Sequence, residues 1–233
     1  MHRLSREPTG STPELHARRL LDTLDLAACA LPASDQRSAA SLWAQSGAMS
    51  LTGYRDGAPL PCAAPLAACA QGAWLALAAL CPGRFDPGFD AFRLLGERAA
   101  IAGLARAGRV SPGGACRLLD AADGTLALNL AREEDWQLLP AWLECELAPG
   151  DVHALGSAVR ARPAHALVLR ARLLGLASAA VAAPRPCAGW FRAERCAPAA
   201  RERRSTPVVI DLSALWAGPL CAQLLAQAGA RVI

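Results

Sequence analysis

The sequence predicts a mixed α/β fold rich in helix. Three observations carry that expectation. Apolar residues recur at helical spacing through most of the chain up to Gly108. The stretch "ACRLLDAADGTLALNLA" reads as two strands about a turn at Asp123-Gly124. Residues 206–233, "TPVVIDLSALWAGPLCAQLLAQAGARVI", read as a strand, a turn at Gly218-Pro219, a helix and the first residues of another strand.

In order along the chain, "ELHARRLLDTLDLAACAL" has helical periodicity, with Thr12-Pro13 as a cap and first-turn pair. Residues 34–53 are expected to be helical up to Gly47, and "YRDGAPLP" is a loop by its Asp-Gly and its prolines. Residues 66–80, "LAACAQGAWLALAAL", form a strongly apolar helix, and "CPGRFDPGF" breaks it. Helical spacing returns over 90–108, where Gly108 offers a stop. After the hairpin, "REEDWQLLPAWLE" (132–144) is expected as one helix with acidic residues in its first turn. A further helix runs from Val159 to near Gly175, followed by an apolar, strand-like stretch. Residues 184–206 carry prolines and arginines without periodicity and read as a linker.

Composition narrows the function. A chain of 233 residues can bury a sizeable core, and with only 5% aromatic residues that core must come mainly from Leu, Ala and Val. All 24 basic residues are arginine, scattered without a basic stripe, and the net charge of +4 is modest, so a nucleic-acid partner is not expected. Nine cysteines lack a CxxC pair, and the four histidines do not cluster with them in the sequence; neither a metal site nor a disulfide framework is expected. The charged start lacks the apolar core of a signal peptide, and the longest apolar run, interrupted by Gln71 and Gly72, reads as a buried helix rather than a membrane span. The expected location is a reducing cytoplasm.

The terminal segment resembles the opening of CoA-transferase family III, the group of carnitine CoA-transferases, formyl-CoA transferases and α-methylacyl-CoA racemases. The resemblance rests on Val209-Ile210-Asp211-Leu212-Ser213, then Ala217-Gly218-Pro219, Leu224-Leu225 and Gly229-Ala230-Arg231-Val232-Ile233. A turn of small residues at a strand's C-terminal end lets a ligand approach the backbone, and the helix start beyond it favours negative charge. Earlier segments resemble later parts of the same family. "SGAMSLTG" and "DGAP" match its middle segment, "LAACAQGAWLALAAL" its Asp-bearing helix, and "RLLDAADGTLALNLAREEDWQLL" its small-domain hairpin and helix. "GRVSPGG" (108–114) echoes its glycine-rich covering loop.

The resemblance implies a helix-rich CoA-transferase fold, ending in the start of a Rossmann-like strand–turn–helix unit. The expected organisation is a helical extension over 1–35, then a degenerate CoA-transferase-like part over 36–183. That part is helical over 36–108 and a small α/β domain over 114–183. A linker over 184–206 and the truncated start of a second unit over 207–233 follow. The implied activity is transfer of CoA between acyl-CoA thioesters and carboxylic acids in the full-length parent. Coenzyme A or acyl-CoA would be the substrate, with no metal. The expected partners are acyl-CoA molecules and a second copy in a homodimer, with no nucleic acid and no membrane.

The family's chemistry uses an aspartate whose carboxylate forms a covalent adduct. Aligning Gly72 with the family glycine places Ala68 at that position, and no acidic residue lies between Asp56 and Asp86. The alternative is therefore a non-catalytic module that binds CoA or serves in assembly. Cys69, next to the vacant position, is a candidate replacement nucleophile; a cysteine in an Ala-rich helix is otherwise a small core residue. Trp216, Ala217, Gly218 and Pro219 are the implied CoA contacts, and Trp216 reads equally as core. Asp120, Asp123, Glu133, Glu134 and Asp135 read as turn and capping residues.

Overall fold

The computed structural model describes residues 11–183 and 206–233. The expected linker, except its last residue, and the first ten residues of the expected extension lie outside the described residues. The architecture is mixed α/β, with nine α-helices and two small sheets among the described residues. The described chain divides into two compact units, one from residues 11–46, 61–95 and 206–233, the other from 47–60 and 96–183.

In the first unit, α1 (Pro13–Thr23) begins where the Thr12 hydroxyl accepts from the Leu15 N–H, with Pro13 in the first turn. It was expected to run on towards Leu31, but it stops eight residues earlier, at Thr23. Asp25 turns left-handed (φ 58°), and the Leu26 and Asp25 N–H groups bond back to the carbonyls of Leu21 and Asp22. This is the Schellman closure, made here by an aspartate in place of the usual glycine. The short α2 (Ala39–Gln45) is capped by Ser38. The apolar α3 (Leu66–Leu80) appears at its expected limits and buries Ala67, Ala68, Gln71, Gly72, Leu75, Ala76 and Ala78.

Gly72 is where α1 meets α3. A Cβ there would lie 2.6 Å from the Pro13 carbonyl oxygen, 2.7 Å from His16 Cβ and 3.0 Å from the Ala17 nitrogen. Ala17 and Leu21 consequently pack on Leu75 and Ala76. On another side of α3, Gln71 Nε2 donates to Phe89 O (3.0 Å) and Trp74 Nε1 to Asp86 O (2.7 Å), holding the 81–89 loop. Strands β4 (Val208–Val209) and β5 (Arg231–Val232) pair in parallel on either side of α9 (Ala217–Gln227) in sequence. One face of α9 packs through Ala222, while Val208, Ile210, Leu212, Leu225 and Ile233 remain exposed.

In the second unit, β1 (Cys116–Ala121), β2 (Gly124–Asn129) and β3 (Ala177–Ala180) form an antiparallel sheet in that order. The hairpin turns at the expected Asp123-Gly124. Leu126, Leu128, Leu139, Trp142, Leu143, Leu155, Val159 and Leu167 share its core. Asp123 also reaches across the fold: its Oδ1 accepts from the Ala164 N–H (2.6 Å) at the start of α8 (Ala164–Leu173). Arg106 and Gly108 N–H groups bond the carbonyls of Ser50 and Gly53, tying residues 47–60 to this unit.

Several expected limits are corrected here. The helix expected over 90–108 is a 3₁₀ turn (Ala91–Arg93) followed by α4 (Leu94–Ile101), which closes at Gly103 (φ 64°) rather than Gly108. The helix expected over 132–144 is two, α5 (Glu133–Gln137) and α6 (Leu139–Leu143), because Pro140 cannot donate the bond that would join them. The helix expected from Val159 is divided at Pro163, whose ring disfavours a helical Arg162. Its first part belongs to α7 (Val152–Arg160), started by the Asp151 side chain accepting from Ala154 N–H (2.9 Å).

The close approach at Gly72 makes a direct expectation. Gly72→Ala should destabilise the protein by about 3 kcal/mol, at the upper end for overpacking because the obstructing atoms are backbone. Thermal melting of the two proteins side by side checks it; an unchanged Tm would mean that α1 is free to move off α3.

Candidate functional site

Two features of the first unit carry the residues singled out in the sequence. The first lies on α3. Ala68 is fully buried (0% exposed). Cys69 follows it, about 100° further round the helix, and emerges beside α1. Its Sγ lies 3.5 Å from His16 Nδ1 and 3.8 Å from Nε2. Ser11 Oγ is 2.8 Å from His16 Nε2. The sequence reading placed no histidine with a cysteine; the structure brings His16 to Cys69 across 53 residues.

The cause is the helix pair itself. Gly72 lies one turn beyond Cys69 and lets α1 close enough for His16 to face α3. His16, Arg19, Leu20, Cys69, Ala70 and Ala73 line a cleft of ≈ 620 Å³. Leu20, Ala70 and Ala73 also line a second, apolar groove of ≈ 530 Å³, continued by residues that include Trp74, Leu77, Leu94, Leu220 and Leu224. The two are therefore contiguous, and the groove leads from Cys69 to α9.

Electrostatics favour a neutral pair at rest. Partial burial, and then the Arg19 charge, hold the His16 ring below its usual range. Burial also pushes the Cys69 thiol up, and Arg19 opposes this only in part. With His16 uncharged, Nε2–H can donate to the Ser11 hydroxyl, which leaves Nδ1 as the ring's acceptor, while the Cys69 sulfur rests on the face of the ring.

The second feature is the turn into α9. Trp216 is its N-cap and 60% exposed. No side chain caps the helix, and Pro219 has no N–H, so the first-turn donors available there are the N–H groups of Ala217 and Gly218. Asp211 accepts from the Ser213 N–H (2.9 Å) and from the Ser213 hydroxyl, which hold its carboxyl below the usual range. This clip lays Ser213 against Gly218, where a Cβ would collide with the Ser213 side chain. The glycine is thus required by the turn's own packing.

Residues 207–233 match the family model of CoA-transferase family III. The matched segment holds β4, the Asp211–Ser213 clip, the Ala217-Gly218-Pro219 turn, α9 and β5. No curated protein matches the chain.

The remaining candidates serve the fold of the second unit. Asp123 holds the start of α8, and Asp120 pairs with Arg109 (2.5 Å). Asp135, only 3% exposed, takes the Arg132 guanidinium (2.7 Å) and backbone N–H (2.9 Å). Residues 108–114 are bonded to β1 through Ser111, whose Oγ accepts from the Cys116 N–H (3.0 Å) and whose N–H donates to Cys116 O (2.8 Å). Among the described residues, no group of three or more His, Cys, Asp or Glu is placed to hold a metal, and no helix is long and apolar enough to cross a membrane.

A raised thiol sets the pH response of Cys69 towards a small alkylating agent. Its iodoacetamide labelling rate should keep climbing above the ordinary thiol range, since the thiolate forms later than in a free cysteine. A plateau near neutral pH, followed by peptide mass spectrometry, would instead reveal a resting thiolate–imidazolium pair.

Proposed function

We propose that this chain handles acyl-CoA thioesters as a CoA-transferase family III protein, with coenzyme A held at the turn into α9. The observation that carries the reading is the family match over 207–233, coinciding with an uncapped helix start at Ala217-Gly218. Backbone N–H groups and the helix dipole at such a start favour phosphate or another anion. Trp216 offers an exposed aromatic face beside it. The overall reaction in this reading is transfer of CoA between acyl-CoA and a carboxylic acid, in a helix-rich family fold, without a metal. The setting proposed is the cytoplasm, with a homodimer as the assembly.

Ala68 favours a second reading for this chain, a module that binds CoA without transferring it. Its methyl group cannot attack a thioester, and its position is buried away from the cleft. An aspartate there would be desolvated at a cost of several kcal/mol.

Calorimetric titration with coenzyme A should give saturable binding, weakened at least fivefold by Trp216→Ala and by Gly218→Ala. Absence of binding would remove both readings. With acyl-CoA and carboxylate acceptors, the binding-module reading expects no CoA exchange, and expects Ala68→Asp to lower Tm without creating any. Exchange by the wild-type chain would decide for the transferase over the binding module.

A further inference from the structure

We infer that Cys69 accepts acyl groups from acyl thioesters, with His16 as its base and the contiguous apolar groove as the seat of the acyl chain. The substrate class rests on the proposed acyl-CoA reading; the nucleophile rests on independent geometry. Cys69 Sγ lies against the face of the His16 ring, 3.5 Å from Nδ1 and 3.8 Å from Nε2, and Ser11 Oγ stands 2.8 Å from Nε2. A nucleophile within reach of a base that is itself oriented by a third group is the arrangement covalent acyl transfer requires. Cys69 and His16 line a cleft, and the cleft adjoins a groove walled by Leu77, Leu94, Leu220 and Leu224.

The groove selects the ligand. Its lining is almost wholly aliphatic, so it suits an alkyl chain, and its entrance holds Arg19, which suits an anionic carrier. Leu220 follows directly on the Ala217-Gly218-Pro219 turn, so the groove also reaches the proposed coenzyme A contact.

The step conserves charge and needs no oxidant. A rotation of the His16 ring brings Nδ1 in line with the thiol when the thioester is bound, and the Cys69 S–H proton passes to it as Sγ attacks the thioester carbonyl carbon. A new S–C bond forms, the carrier's S–C bond breaks, and the leaving thiolate takes the proton from His16. The products are S-acyl-Cys69 and the free carrier thiol. Ser11, acting through the ring, is a positioning residue that keeps Nδ1 free to accept. The neutral resting pair is consistent with this, because the proton need move only when a thioester is bound.

The test uses the full chain, octanoyl-CoA, and octanoyl-N-acetylcysteamine, a small thioester that lacks the nucleotide. Intact-mass and peptide mass spectrometry follow acylation, with exposed Cys221 as the internal reference. Expected is a hydroxylamine-labile octanoyl adduct on Cys69 forming at least tenfold faster than on Cys221. It should be absent in Cys69→Ser and slowed by about 100-fold in His16→Gln, the scale of a lost general base. Ser11→Ala should slow it, and Ser11→Thr, which restores a hydroxyl, should recover it. Circular dichroism of each variant separates loss of base from loss of fold. Coenzyme A binding without a Cys69 adduct from either donor would overturn the inference and leave the acyl-CoA reading standing. An adduct from octanoyl-N-acetylcysteamine with no coenzyme A binding would do the reverse.

Discussion

In the helical unit, α1 and α3 touch at the level of their backbones, and Gly72 is the residue that permits it. A side chain at that position would part the two helices by the width of a methyl group. Ala17 and Leu21 would then lose Leu75 and Ala76, and His16 would be carried away from Cys69. Close helix packing through glycine is ordinarily a stability device. Here the same contact sets the distance between a thiol and an imidazole, so packing and chemistry share one constraint. The groove is a further product of that packing, since it is bounded by side chains on the flanks of both helices.

The second unit depends on polar contacts that reach between distant parts of the chain. Asp123 ties the hairpin to α8, Trp142 Nε1 donates to Leu167 O (2.8 Å) inside the core, and Arg162 reaches the Leu143 carbonyl (2.5 Å). Each satisfies a buried or half-buried carbonyl or helix end that an all-apolar core would strand. With so few aromatic residues, these bonds do much to select one arrangement among many that Leu and Ala alone would tolerate.

The hairpin was legible because an Asp-Gly turn flanked by alternating apolar residues is a local signal. The Leu66–Leu80 helix was legible because its apolar run is bounded by prolines. Helix ends were harder. The closure at Asp25 uses a residue that tolerates the left-handed region without advertising it, and Gly103 competed with Gly108 for the same role. The breaks at Pro140 and Pro163 were visible in the sequence and were overridden by periodicity; Asp151 was an unread cap for α7. Of the candidate site, the turn at Ala217-Gly218-Pro219 could be found from residue types and order. The neighbourhood of Cys69 could not, because His16 is 53 positions away and only the docking of α1 joins them. The buried state of Ala68 was equally a matter of helix orientation, which an apolar run on all sides of α3 does not reveal.

The bond from Asp123 to α8 changes what the tip of this hairpin is good for. Hairpin tips are usually the places where a chain accepts inserted peptides, tags or new termini, because little else depends on them. This one is stapled at short range to a helix start 41 residues further on. Lengthening the turn would pull the carboxylate from the Ala164 N–H and leave that helix end without its acceptor. Protein engineers seeking a permissive insertion point in the second unit would do better in the exposed Ala148–Asp151 turn, whose Asp151 should be kept because its side chain starts α7.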